Sequence, residues 1–226
     1  MKELNKYIDH TKLGTSVMTA DIDKLVSEAI SNHFKSVCVN PVWIKYVEEK
    51  LRDTECLVCT VVGFPDGAHT LKVKKYETKQ ALKDGADEID MVINVSDLKN
   101  GHPERVLNEI KTLKKICKNK VLKVIIETCY LTPQEIELVS KLCVEAKADF
   151  VKTSTGFGTY GARLEDVKLI KKAVTEHINS NPKFKGFEIG IKASGGVSSR
   201  EDALKFIEAG ATRIGTSKGL LIVKEE

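Results

Sequence analysis

"DGADEIDMVIN", residues 84–94, ends one kind of segment and begins another. The stretch before it, "HTLKVKKYETKQALKDGA" (69–86), carries apolar residues at helical spacing, whereas Glu88–Asn94 is a short apolar run of strand length. Similar tokens recur as "AKAD" at 146–149 and "EAGAT" at 208–212, each closing a helical segment and leading straight into an apolar run. Working outward, "KYIDHT", "KSVCVN", "CLVCTVVGF", "DEIDMVIN", "VLKVIIET", "DFVKTSTG", "FEIGIKAS" and "TRIGTS" make eight predicted strands with helical segments between them. Thr132 before Pro133, with Glu135 three residues on, marks one helix start as a capping box. Strict alternation with short connections implies a parallel sheet, and eight repeats close one into a (β/α)8 TIM barrel of the α/β class. The competing architecture is an open doubly wound sheet, but no G-x-G-x-x-G follows the first strand. No linker rich in Pro, Ser or Gly divides the chain, so one domain over residues 1–226 is expected. The first strand, about residues 7–10, is short and polar.

Hydrophobic residues at 42% and charged residues at 30% fit an ordinary globular protein and argue against disorder or a disulfide scaffold. A net charge of +4 is compatible with a small anionic substrate. Basic residues are dispersed through helices such as "IKTLKKICKNK" and form no concentrated stripe, so no nucleic-acid partner is expected. The start, "MKELNKYIDHTKLG", has no signal-peptide core, and no long apolar stretch suits a membrane, so a cytoplasmic location is expected. Six scattered cysteines are expected to be reduced; in "CLVC" (56–59), residues three apart on a strand face opposite ways and cannot chelate together. His10, His33, His69, His102 and His177 form no metal-binding pair, so a metal-dependent carbonyl reaction is disfavoured.

Inside a barrel, side chains alternate between the interior and the helix layer, and function gathers at the carboxyl ends of the strands. Ile89, Met91 and Ile93 then face the helices and Asp90 the interior; Val151 and Ile191 face outward, leaving Lys152 and Lys192 inside. The two lysines fall on neighbouring strands, about 4.8 Å apart. Burial and a second cation both lower a lysine pKa from about 10.4 toward the neutral range, so Lys152 or Lys192 could attack a carbonyl as a free amine. Asp90 could offset the remaining charge and move protons. A buried salt bridge that only orders the core is the bland alternative, but two lysines with one acid leave an unbalanced charge. "ASGG" (193–196) and "GTSKG" (215–219) follow the seventh and eighth predicted strands, the common phosphate site of this architecture, with Thr155 and Gly156 completing the cradle. Asp9 and Lys12 lie at the end of the first strand, where Asp9 either positions a substrate hydroxyl or makes a turn. Cys38 faces inward, as a pocket residue or a core thiol.

These residues resemble the deoxyribose-phosphate aldolases over nearly the whole chain, from "IDHTKL" through "EIDMVIN", "LKVIIET", "FVKTSTGFG" and "KASGG" to "RIGTS". The pairing of "VKTSTGF" with "KASGG" is the specific part. The resemblance implies reversible cleavage of 2-deoxy-D-ribose 5-phosphate to D-glyceraldehyde 3-phosphate and acetaldehyde, without metal or cofactor, in deoxynucleoside catabolism. It implies Lys152 as the Schiff-base lysine, Lys192 as the lysine that lowers its pKa and Asp90 as the proton shuttle. Asp9, Lys12 and Cys38 match pocket positions, and Gly156, Gly195, Gly196, Thr216 and Ser217 match phosphate loops. A cytoplasmic homo-oligomer, dimer or tetramer, is the implied assembly. Longer relatives place a lysine where this chain has Phe157, and some carry a terminal tyrosine not found after "LLIVKEE", so phosphate binding is expected to rest more on backbone amides. Two rivals stand beside this reading: a transaldolase-like enzyme that moves a longer carbon fragment, and a barrel that binds sugar phosphates without turnover.

Overall fold

The computed structural model describes residues 3–224. Eight parallel strands close in chain order: β1 (Ile8–Lys12), β2 (Ser36–Val39), β3 (Leu57–Val62), β4 (Glu88–Val92), β5 (Val121–Ile125), β6 (Phe150–Lys152), β7 (Gly190–Ser194) and β8 (Arg213–Thr216), with β8 pairing back to β1. This is the expected (β/α)8 barrel. The first strand begins after a 3-10 turn at Leu4–Tyr7 and runs two residues beyond the predicted end, because Thr11 and Lys12 pair with Cys38 and Val39. Tertiary pairing overrides its polar composition.

The helices are α1 (Thr19–Ser31), α2 (Ile44–Leu51), α3 (Leu71–Lys83), α4 (Val95–Lys99), α5 (Pro103–Cys117), α6 (Pro133–Glu145), α7 (Leu164–Ser180), α8 (Arg200–Glu208) and α9 (Gly219–Val223). The capping box at α6 is reciprocal: the Glu135 amide donates to Thr132 Oγ1 at 3.3 Å and the Thr132 amide to Glu135 Oε2 at 2.7 Å. None of the described helices is long and apolar enough to cross a membrane.

Alternation along the strands separates two environments. Ile89, Met91, Val124, Val151, Ile191 and Ile214 join the continuous apolar layer between sheet and helices. Each such side chain contributes about 1.5–3 kcal/mol over an exposed one. The alternate residues fill the barrel, where Cys38, Cys59 and Val61 form a small apolar cluster beside a group of charges. Register brings those charges together, since Asp90 pairs with Lys123 and Lys152 with Lys192 across neighbouring strands.

Candidate active site

Asp90 is the hub of the interior. Its Oδ2 lies 2.8 Å from Lys152 Nζ and 2.8 Å from Lys192 Nζ, while Oδ1 lies 2.8 Å from Lys123 Nζ. Lys192 also reaches Asp9 at 2.6 Å, and Lys123 reaches Glu88 at 2.6 Å. Beneath them Arg213 bridges Asp9 at 2.7 Å and Glu88 at 3.0 Å, and the Ser36 hydroxyl donates to Asp9 at 2.7 Å. Four cations thus share three carboxylates.

Lys123, Glu88 and Arg213 were not singled out in the sequence, although the alternation that placed Asp90 inside applies equally to them. Their presence corrects the expected electrostatics. Burial pulls the Lys192 pKa down, but Asp9 and Asp90, both in direct contact, outweigh burial and the repulsion from Lys123 and hold it well above the ordinary lysine value. Burial likewise opposes ionisation of Asp90, and Lys123, Lys152 and Lys192 together reverse that effect and keep its carboxyl well below the usual range. Lys192 is therefore held as an ammonium.

A cavity of about 540 Å³ opens above this cluster, lined by the end of β1 with Lys12, by Lys152, Thr155, Gly156 and Phe157, and by the loops 194–198 and 215–218. Gly195, Gly196, Thr216 and Ser217 all line it. Of the buried charges among the described residues only Lys152, 3% exposed, reaches the cavity; Lys192 and Asp90 lie beneath it at 0%. Asp9 does not face the opening as expected of a substrate contact. It is the second residue of β1, fully buried, and its oxygens are taken by Lys192, Arg213 and Ser36. Cys38 points inward but is sealed against Cys59 and Val61. Lys12 stays half-exposed, 3.5 Å from Asp21. A wider groove of about 650 Å³ between α3 and α5 is lined by helix and loop residues alone and contains none of the interior charges.

Among the described residues, Cys38, Cys59 and Asp90, and Asp9, Cys59 and Glu88, each bring three ligand atoms within 4.8 Å of one another. The Lys123 ammonium already occupies that region, contacting Cys59 at 3.2 Å as well as Asp90 and Glu88. The donor set is matched to an ammonium.

The loops meet closely at the rim. Gly195, at φ +84°, packs so tightly that a Cβ there would come 2.9 Å from Gly161 Cα. A Cβ at Gly215 would come 2.8 Å from Lys192 Cε, so the glycine leaves the lysine its channel. Phe157 packs edge-on against Phe64 with ring centroids 5.4 Å apart, giving the cavity an apolar lip. Below the rim, Glu127 accepts both the amide and the hydroxyl of Thr155, and burial pushes its carboxyl up. Glu127 was missed; a charged residue ending the apolar run "KVIIE" was the available signal.

With this geometry in hand, residues 4–225 match the profile of the DeoC/LacD family aldolases. A deoxyribose-phosphate aldolase of Acholeplasma laidlawii (strain PG-8A) is 52% identical over 99% of this chain and 96% of its own. One from Clostridium botulinum (strain ATCC 19397 / Type A) is 53% identical over 98% of this chain and 100% of its own. The tetrameric structure of the deoxyribose phosphate aldolase from Aeropyrum pernix superposes with a TM-score of 0.86 at 32% identity, covering 97% of this chain and 89% of that one. Sequence and architecture agree from β1 to α9, and the chain belongs to the DeoC/LacD family of aldolases.

Proposed function

We propose that this protein is a metal-independent deoxyribose-phosphate aldolase that cleaves 2-deoxy-D-ribose 5-phosphate to D-glyceraldehyde 3-phosphate and acetaldehyde. The observation that carries the reading is the placement of Lys152, the one member of the buried charge cluster that borders the cavity. The amine attacks the C1 aldehyde; loss of water gives a protonated imine. Deprotonation of the C3 hydroxyl then breaks the C2–C3 bond, and the bonding pair moves into the imine to form an enamine. Protonation at C2 and hydrolysis return Lys152 and release acetaldehyde. The imine supplies the electron sink, so no metal is assigned a role.

The cluster supports this chemistry electrostatically. With Lys152 as a neutral amine, Lys123, Lys192 and Arg213 face Asp9, Glu88 and Asp90 in equal number. Asp90 touches Lys152 and Lys192 with one oxygen, which supports its assignment as the group that moves protons through carbinolamine, imine and enamine. We assign the phosphate to the loops bearing Gly156, Gly195, Gly196, Thr216 and Ser217, all of which line the cavity. Lys12 borders the same space, whereas Asp9 acts from beneath by holding Lys192, and Cys38 supports the wall. A cytoplasmic homo-oligomer is the setting we assign, in keeping with the tetrameric Aeropyrum pernix relative.

Borohydride reduction of the protein mixed with 2-deoxyribose 5-phosphate, followed by peptide mapping, tests the mechanism. The expected product is a stable adduct on Lys152. Adduct formation on Lys192, or on no lysine despite demonstrated binding, would sink the assignment. Release of a fragment longer than acetaldehyde would favour a transaldolase-like reaction.

A further inference from the structure

Glu127 sits where the pairing of β5 with β6 loses its regular step. The Ile126 amide donates to Lys152 O at 3.0 Å and the next bond runs from the Thr128 amide to Thr153 O at 2.9 Å. One strand advances two residues while the other advances one, so Glu127 is the extra residue of a bulge, with left-handed φ 53° and ψ 68°. Bulges beside active sites re-aim a side chain. A non-glycine residue is held in this conformation only where its surroundings over-determine it. Here the carboxylate is turned toward the loop after β6. It accepts the Thr155 amide at 3.2 Å and the Thr155 hydroxyl, and Thr155 Oγ1 in turn accepts the Phe157 amide at 3.0 Å.

We infer that Glu127 is a positioning residue that holds the Thr153–Phe157 loop in the shape that encloses the phosphate end of the substrate. The assignment rests on the aldolase reading above. Three features support it. The loop starts at the residue after Lys152 and is pinned from the other side, where the Thr153 amide donates to Lys192 O at 3.0 Å. It docks on the next loop at glycines, since a Cβ on Gly195 would come 3.4 Å from Gly156 Cα. The chain just beyond it passes directly over the carboxylate, since a Cβ on Gly158 would come 3.3 Å from Glu127 Cδ and 2.5 Å from Cys129 Sγ. Glu127 itself is 3% exposed and does not border the cavity, so it acts through Thr155 and not on the substrate.

The test compares wild type, Glu127→Ala and Glu127→Gln on 2-deoxyribose 5-phosphate and on unphosphorylated 2-deoxyribose, with circular dichroism to score folding. Glu127→Ala should raise KM for the phosphorylated sugar roughly tenfold or more while kcat stays within about threefold. Its KM for the unphosphorylated sugar should move far less, and borohydride should still trap an adduct on Lys152. Glu127→Gln keeps an acceptor for the Thr155 amide and should recover most of the loss, which also covers the case in which the alanine variant folds poorly. A fall in kcat with KM unmoved, an equal effect on both sugars, or a glutamine variant as impaired as alanine would each overturn the positioning role. If wild type itself gave no adduct, the aldolase reading would fall first.

Discussion

Two lysines in this molecule are both buried yet differently partnered. Lys74 of α3, behind the barrel, donates to Glu109 Oε1 at 2.6 Å and to Val92 O at 2.7 Å, and Glu109 spends its other oxygen on the Asn94 amide at 3.0 Å. That pair is one cation to one anion, both buried. Lys152 makes one side-chain hydrogen bond among the described residues, to an Asp90 oxygen it shares with Lys192, and it stands under an open cavity. A closed, balanced pair holds structure, whereas a surplus cation beside a cavity is available for chemistry.

The same substitution at both sites should break the comparison most clearly. Lys152→Met is expected to reduce turnover on the order of 10⁴-fold while stability changes by less than ~1 kcal/mol, because the remaining cations and carboxylates balance. Initial rates and urea unfolding check both halves. Lys74→Met should do the reverse, costing about 3–5 kcal/mol by stranding Glu109, with turnover per folded molecule retained. Pairing it with Glu109→Gln should restore much of the loss.

A smaller effect sharpens the contrast through pH. Burial opposes ionisation of Asp90, but its three lysines hold the carboxyl below the ordinary 3.8, so the unfolded chain takes up that proton first. The stability it contributes is present above pH 3.8 and lost as pH falls below that value. Burial pushes Glu109 above its ordinary 4.5 despite Lys74, so its contribution is full below pH 4.5 and lost as pH rises through the window above. Urea midpoints between pH 3 and 7 should show Asp90→Asn flattening the acid limb and Glu109→Gln flattening the opposite slope. Slopes of the same sign would contradict the two assignments.

Much of the barrel was legible because period-2 alternation is a local property. Ile89, Met91 and Val151 could be assigned to the helix layer, and Asp90, Lys152 and Lys192 to the interior, from neighbours in the chain alone. Lys123 and Glu88 obeyed the same rule and were passed over because "VLKVI" and "DEIDM" looked like ordinary apolar strands. Glu127 lay further out of reach: its aim depends on a bulge created by slippage between β5 and β6. The extra length of β1 was hidden for a related reason, since Thr11 and Lys12 become strand only by pairing with β2.

The sequence by itself determined the alternation of strand and helix, the inward set of charges and the glycine loops at the rim, because all follow from spacing along one chain. Only the tertiary structure decided which lysine meets the cavity and which charge state its neighbour keeps. Lys152 and Lys192 are equivalent in pattern and adjacent in register. They part because Asp9, distant in sequence but brought beside Lys192 by barrel closure, pairs with it at 2.6 Å, while the loops after β6, β7 and β8 leave open space above Lys152. Coulomb energy and desolvation depend on distances through space, and those exist only once the ring of strands has closed.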